Sequence, residues 1–252
     1  MLKELNNILK SYNKFDLYEH SVILGYRGSL AHGTYIPEHI DDKDIMGVLK
    51  LPISYYFGLD QFGKKNTKEI MEGEYDIVFY EIRKFCNLLL KANPNVLSLL
   101  WLKPELYIKV SYQGKKLIKY RQKFLSKIVY KSFSGYAYGQ LKKINHGAYL
   151  GYMGEKRKKL VNEFGFDCKM GSHLIRLLRM GIEILNTGEL IVWRENDKNE
   201  LLNIKNGKWT LNKVKTLAND LFNDMENARE LTELPDEPDY KFINNLLIEI
   251  LS

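Results

Sequence analysis

The sequence predicts an α+β fold, with a mixed β-sheet flanked by helices and then a mostly helical C-terminal domain. Three observations predict it. Short apolar runs rich in strand-forming residues recur early, at 21–26, 44–51, 67–71 and 75–80. Beyond residue 94 such runs fade and helical spacing takes over, at 125–144, 172–186, 211–229 and 240–251. Pro104 and Gly114 bracket a loop-like stretch between the two regimes, which divides the chain into domains at 1–105 and 106–252.

Each element follows from its residues. Leu2, Leu5, Ile8 and Leu9 fall on one side of a helix drawn through 1–18. SVILGY at 21–26 carries no charge and reads as a buried strand, after which Gly28, Gly33 and Pro37 mark a loop. DIMGVLKL at 44–51 reads as a second strand, and 67–71 and 75–80 as two more joined by a turn at Glu72-Gly73. Ile82, Phe85, Cys86, Leu89 and Leu90 share one face of a helix over 81–92, which Asn93-Pro94 stops. The later helices end in an acidic, proline-rich turn at 234–239 and a final amphipathic helix at 240–251.

Composition narrows the class. Hydrophobic residues make up 45% and charged residues 27%, ordinary for a globular protein with a sizeable core. No run of about 18 apolar residues occurs, so no membrane span and no membrane partner are expected. MLKELNNILKSYNK lacks the apolar core of a secretory signal. Cys86 and Cys168 form no Cys-x-x-Cys pair, which argues against a disulfide framework or thiolate zinc site and for a reducing, cytoplasmic location. Net charge is +7, and its excess sits in one segment: 114–160 holds 13 Lys or Arg against one acid, Glu155. Tyr120, Tyr130, Tyr136, Tyr138, Tyr149 and Tyr152 thread through it. Cations neutralise phosphates and rings stack on bases, so this segment is the candidate RNA contact; a solvated helical surface with core tyrosines is the alternative.

The chemistry concentrates elsewhere. A strand leads into Gly28-Ser29, twelve residues intervene, and Asp42-Lys43-Asp44 opens the next strand. Glycine after a strand lets backbone N–H groups approach a phosphate, and the Ser29 hydroxyl adds a donor, which suits a triphosphate. Asp42 and Asp44 are two apart, so on extended chain both carboxylates face one side and can share hard divalent cations; Asp41 would face away. Asp76 supplies a third acid from within an otherwise buried strand, where an unpaired carboxylate is costly unless it meets a cation. Glu74 shares that strand face and is the competing choice, with Asp76 deeper in the strand. The non-catalytic alternative is an acidic loop with Asp76 capped separately.

These stretches, with others, carry a resemblance: GYRGSLAHG at 25–33, DKDIMGV at 42–48, Asp76 with Arg83-Lys84, KANPN at 91–95, GYAYGQ at 135–140, Lys169 with HLIRLL at 173–178, and LPDEP at 234–238. By them the chain resembles the RNA-repair-associated (RlaP-like) family of the DNA polymerase β nucleotidyltransferase superfamily. The resemblance implies a nucleotidyltransferase-fold catalytic domain at 1–105 and a helical domain at 106–252 for nucleotide clamping and acceptor binding. It implies a nucleoside triphosphate and two Mg²⁺ ions, with Mn²⁺ able to replace them, and maps the metal aspartates onto Asp42, Asp44 and Asp76.

A second constellation lies on helix 172–186, where His173, Arg176, Arg179 and Glu183 share a face that Lys169 joins if the helix starts early. It reads either as a solvated stripe or as a cationic clamp on the triphosphate, and the resemblance favours the clamp. The nucleotide site then comprises Gly28, Ser29, His32, Lys169, His173 and Arg176, with His32 touching phosphate or packing its loop. The expected function is metal-dependent transfer of a nucleoside monophosphate to an acceptor hydroxyl, foremost an RNA 3′ end such as that of tRNA. A small-molecule or protein hydroxyl is the enzymatic alternative, and a catalytically inactive nucleic-acid-binding module the non-enzymatic one. Oligomeric state carries no signal in the sequence.

Overall fold

Apolar alternation at 21–26, 43–49 and 75–81 builds the centre of one mixed sheet. Its strands are β1 (Ser21–Tyr26), β2 (Lys43–Leu49), β3 (Thr67–Glu72), β4 (Tyr75–Glu81) and β5 (Tyr107–Val110), in the spatial order β3-β4-β2-β1-β5. The computed structural model describes residues 2–10, 14–35, 43–145 and 155–252. Among the described residues only β2 and β4 run parallel; the other pairs are antiparallel. Helix α1 (Leu2–Lys10) packs Leu5, Ile8 and Leu9 onto one face of the sheet, against Leu24, Ile45, Leu49, Ile77 and Phe79. Gly47 faces Phe79 across the β2–β4 register, and a Cβ there would collide with the Phe79 ring. Helix α2 (Gly28–His32) follows β1, and α3 (Ser54–Phe57) lies between β2 and β3. Helix α4 (Ile82–Leu89) buries Ile82, Phe85, Cys86 and Leu89; Glu81 caps it by accepting from the Arg83 and Lys84 N–H groups.

The chain forms two compact units, each assembled from separated segments. The sheet unit takes 1–90, 95–124 and 239–252; the helical unit takes 91–94 and 125–238. The expected break at 105/106 does not coincide with these units. Residues 103–115 contain β5, which pairs with β1, and α6 (Tyr112–Lys119) follows after the short helix α5 (Pro94–Leu97) and two 3₁₀ turns. Gly114 is needed there, because a Cβ would collide with the Val22 carbonyl oxygen. The terminal helix α12 (Tyr240–Leu251) also belongs to the sheet unit. Lys50 Nζ donates to the Ile250 carbonyl at 2.8 Å, and Lys123 pairs with Asp239 at 3.1 Å. The first helix is shorter than the 1–18 expected. Asp16 Oδ1 accepts from the Tyr18 and Glu19 N–H groups at 2.8 and 3.0 Å, which turns the chain before β1.

The helical unit holds α7 (Ile128–Asn145), α8 (Glu155–Phe164), α9 (Cys168–Thr187), α10 (Lys198–Lys205) and α11 (Leu211–Leu231). Helix α9 is its axis and touches the other four. Asp167 caps it through the Met170 N–H at 3.1 Å, and Gly188 ends it at φ 68°. Gly181 lets α7 and α11 close in: a Cβ there would lie 3.0 Å from Phe133 Cβ and 2.5 Å from Met225 Cε. Among the described residues no helix is long and apolar enough to cross a membrane.

Candidate active site

The parallel register of β2 and β4 sets Asp44 beside Asp76. Partnered residues on neighbouring strands send their side chains to the same face. Ile45, Leu49, Ile77 and Phe79 fill the core on the opposite face, so both carboxylates stand together at the start of their strands, away from α1. Their side chains are 31% and 33% exposed, open enough to meet a solute. Asp42, expected on the same face, lies outside the described residues.

The turn after β1 is built against this pair. Arg27 N–H donates to the Asp44 carbonyl at 2.9 Å, and Gly28 then turns at φ 62°. A Cβ on residue 28 would collide with Asp44 Oδ2 and stand 3.1 Å from its Cγ, so only glycine lets the backbone lie against this carboxylate. Ser29 is half-buried in the first turn of α2, and its carbonyl accepts from the Thr34 N–H at 3.0 Å. His32 is buried at the end of that turn. Sequence reasoning assigned no role to Arg27, yet its Nη2 lies 2.9 Å from Asp76 Oδ2 and 3.7 Å from Asp44 Oδ1. The available signal was a cation at a strand end, directly before the Gly-Ser turn.

Glu74 has a different partner. Its carboxylate pairs with the Lys43 ammonium, and that hydrogen bond raises the Lys43 pKa against the opposing effect of burial. Lys43 also sits 5.3 Å from the Tyr75 ring centroid. The acid beside Asp44 is therefore Asp76, not Glu74.

The donor set fits a divalent cation. Asp44 and Asp76 already converge on one positive group, and both offer the hard oxygen atoms that Mg²⁺ prefers. Among the described residues no cluster of three or more His, Cys, Asp or Glu completes a metal site. A third protein ligand would have to come from outside them, where Asp42 lies.

The expected clamp residues share one stripe of α9. Lys169 is exposed, while His173 and Arg176 are half-buried. Burial first, then the charges of Arg176 and Lys143, lowers the His173 pKa to about 3, so this ring is neutral rather than cationic. Burial and the neighbouring Arg194 lower the Arg176 pKa, opposed by Asp197. The rest of the stripe is an ion-pair network. Arg179 reaches Asp197 and Glu200 at 2.9 and 2.5 Å; buried Arg194 reaches Glu183 and Asp197 at 2.7 and 2.8 Å. Toward the N-terminus of the same helix Lys169 is exposed, and Arg176 Nη1 lies 3.4 Å from Met180 Sδ.

The basic segment 114–160 is partly committed to the fold. Lys116 pairs with Glu249, Lys123 with Asp239 and Lys127 with Asp236. Tyr120 packs edge-on against Phe242, Tyr130 bonds to Glu226, and Tyr136 accepts from Asn93 Nδ2 at 2.8 Å. Lys131, Tyr138, Lys142 and Lys143 are exposed on α7. Tyr149 and Tyr152 lie outside the described residues.

Comparison with known proteins agrees on family. No curated protein matches the chain. A solved nucleotidyltransferase-like protein from Exiguobacterium sibiricum 255-15 is 12% identical at a TM-score of 0.30, covering 90% of this chain and 74% of that one. That likeness is too distant to carry an argument. The family described as RlaP matches residues 2–249. The chain belongs to this RNA repair pathway DNA polymerase beta family.

Proposed function

We propose that this protein transfers a nucleoside monophosphate from a nucleoside triphosphate to a hydroxyl at an RNA 3′ end, releasing pyrophosphate. The single observation that carries the reading is Asp44 set beside Asp76 in register, with the Gly28 backbone pressed against the Asp44 carboxylate. Asp44 and Asp76, joined by Asp42, would hold Mg²⁺ or Mn²⁺. Such a metal, when bound, supplies charge stabilisation at the phosphoryl oxygens and a lowered pKa for the attacking hydroxyl. Gly28 and Ser29 present N–H groups and a hydroxyl to the phosphates. Asp76 accepts the proton of the acceptor hydroxyl. Within the helical unit, Lys169, Arg176 and neutral His173 share the stripe of α9 to which we assign nucleotide binding. His32, being buried, holds the loop shape.

RNA is the favoured acceptor because α7 presents Lys131, Tyr138 and Lys142 to solvent at helical spacing. Gly135 and Gly139 lie among them, and a Cβ on either would meet no described atom within 4 Å. We assign the sheet unit the catalytic role and the helical unit nucleotide and acceptor binding, in the cytoplasm. Labelled ribonucleotides and deoxyribonucleotides, offered with tRNA, with total RNA and with protein alone, test this, the products being read by mass. Wild-type protein should extend RNA in the presence of Mg²⁺, and Asp44→Asn should lose transfer by at least about a hundredfold while melting normally. Near-normal turnover by Asp44→Asn would refute the reading, and label on protein alone would reassign the acceptor.

A further inference from the structure

We infer that Arg27 is the resident counter-ion of the carboxylate pair and exchanges with a divalent cation when a triphosphate draws its guanidinium away. Metal and nucleotide would then bind cooperatively. The inference rests on the nucleotidyltransferase reading above and adds a coupling that reading does not contain.

Like charges on directly partnered strand positions repel, and Asp44 and Asp76 are partnered. Arg27 Nη2 relieves that repulsion from 2.9 Å at Asp76 and 3.7 Å at Asp44. Magnesium binds carboxylate oxygens at about 2.0–2.1 Å. A cation held by these two acids would share their oxygens with Nη2, and two positive centres on the same carboxylates repel. The pair can hold the guanidinium or the metal, not both.

The guanidinium also has a reason to leave. Its Nε is buried with no hydrogen-bond partner among the described residues, so the group is incompletely satisfied where it sits. A phosphate offers the two parallel acceptors that a guanidinium fork prefers. Arg27 adjoins Gly28-Ser29, the turn assigned to the phosphates, so a short swing changes its partner. Triphosphate binding then frees Asp44 and Asp76 for metal, and metal binding frees Arg27 for triphosphate; by linkage the two effects are equal.

The test uses the full chain and two neutral variants, Arg27→Met and Arg27→Gln. Binding of Mn²⁺ alone is followed by the electron paramagnetic resonance of the free ion, and binding of a fluorescent ATP analogue in EDTA is followed separately. Opposite shifts are expected in both variants: Mn²⁺ affinity rises about tenfold, and metal-free nucleotide affinity falls about tenfold, within the usual range for coupled sites. A purely structural arginine would weaken both. Unchanged or weaker Mn²⁺ binding in a variant that melts like wild type overturns the exchange. Failure of both variants to fold also overturns it, since the guanidinium would then be holding the fold. If wild type itself binds neither Mn²⁺ nor nucleotide, the nucleotidyltransferase reading falls, a result distinct from the other two.

Discussion

Replacing Gly28 with alanine should disable the site through one atom. At φ 62° the new Cβ would point at Asp44, 3.1 Å from Cγ, 3.3 Å from Cβ and well inside 3.0 Å of Oδ2. Ordinary contact begins near 3.4 Å, so the carboxylate oxygen must retreat by about 1 Å. A displacement of that size at a reacting centre costs about a hundredfold in rate. Left-handed backbone at a non-glycine residue adds roughly 1–2 kcal/mol of strain, equivalent to a melting decrease of about 2–8 °C for a chain of this length. Gly188→Ala separates the two effects. It has the same backbone sign at φ 68°, but its Cβ would meet only Leu234 Cδ2, at 3.9 Å. Both variants should melt lower, and only Gly28→Ala should lose transfer of labelled nucleotide at saturating Mg²⁺ and triphosphate. If Gly28→Ala works within twofold of wild type, the packing of this turn against Asp44 is irrelevant to catalysis.

Three further expectations concern the helical unit. Gly135→Ala should raise its stability by about 1 kcal/mol in urea unfolding, because the methyl meets no described atom and alanine costs less helix entropy; a lower midpoint would contradict this. Arg194→Ala should destabilise the unit by about 3–5 kcal/mol, since Glu183 and Asp197 lose a buried partner; a loss under 1 kcal/mol would mean water replaces it. His173, with its pKa lowered to about 3, makes folding proton-sensitive. Below pH 6.5 the unfolded ring takes up a proton that the folded ring refuses, so stability falls as pH drops from 6.5 towards 3. At pH 5 this amounts to about 2 kcal/mol. His173→Gln should therefore lose less stability than wild type between pH 7.5 and pH 5, and equal losses would place His173 in contact with solvent.

The parts of this fold legible in the sequence were those governed by local periodicity. Helix 240–251 has the bounds its spacing predicts, and β3, β4 and α11 lie within two residues of theirs. What escaped was non-local. The four residues of β5, YIKV, are too few to show alternation, and their strand character comes from pairing with β1. Helix α12 joins the sheet unit through Lys50 and Lys123, contacts no spacing rule could foresee. Counting charge in 114–160 likewise ignored where the acids would fold: Glu249, Asp239 and Asp236 each take one lysine of that segment.

The same distinction governs the site. Alternation along one strand places Glu74 and Asp76 on one face and cannot rank them as neighbours of Asp44. Register across two strands ranks them, and register is a property of the sheet, pinned here by Ile77 and Phe79 entering the core beside Ile45 and Gly47. A slip by two residues would preserve every buried face and would bring Glu74 opposite Asp44. Glu74 would then leave Lys43, and Asp76 would leave Arg27, breaking two ion pairs at once. The pairing of Lys43 with Glu74 is thus more than a surface contact. It removes the competing acid from the site and makes the two-residue slip costly, which is how a lysine whose ammonium pairs with Glu74 helps hold Asp44 and Asp76 side by side.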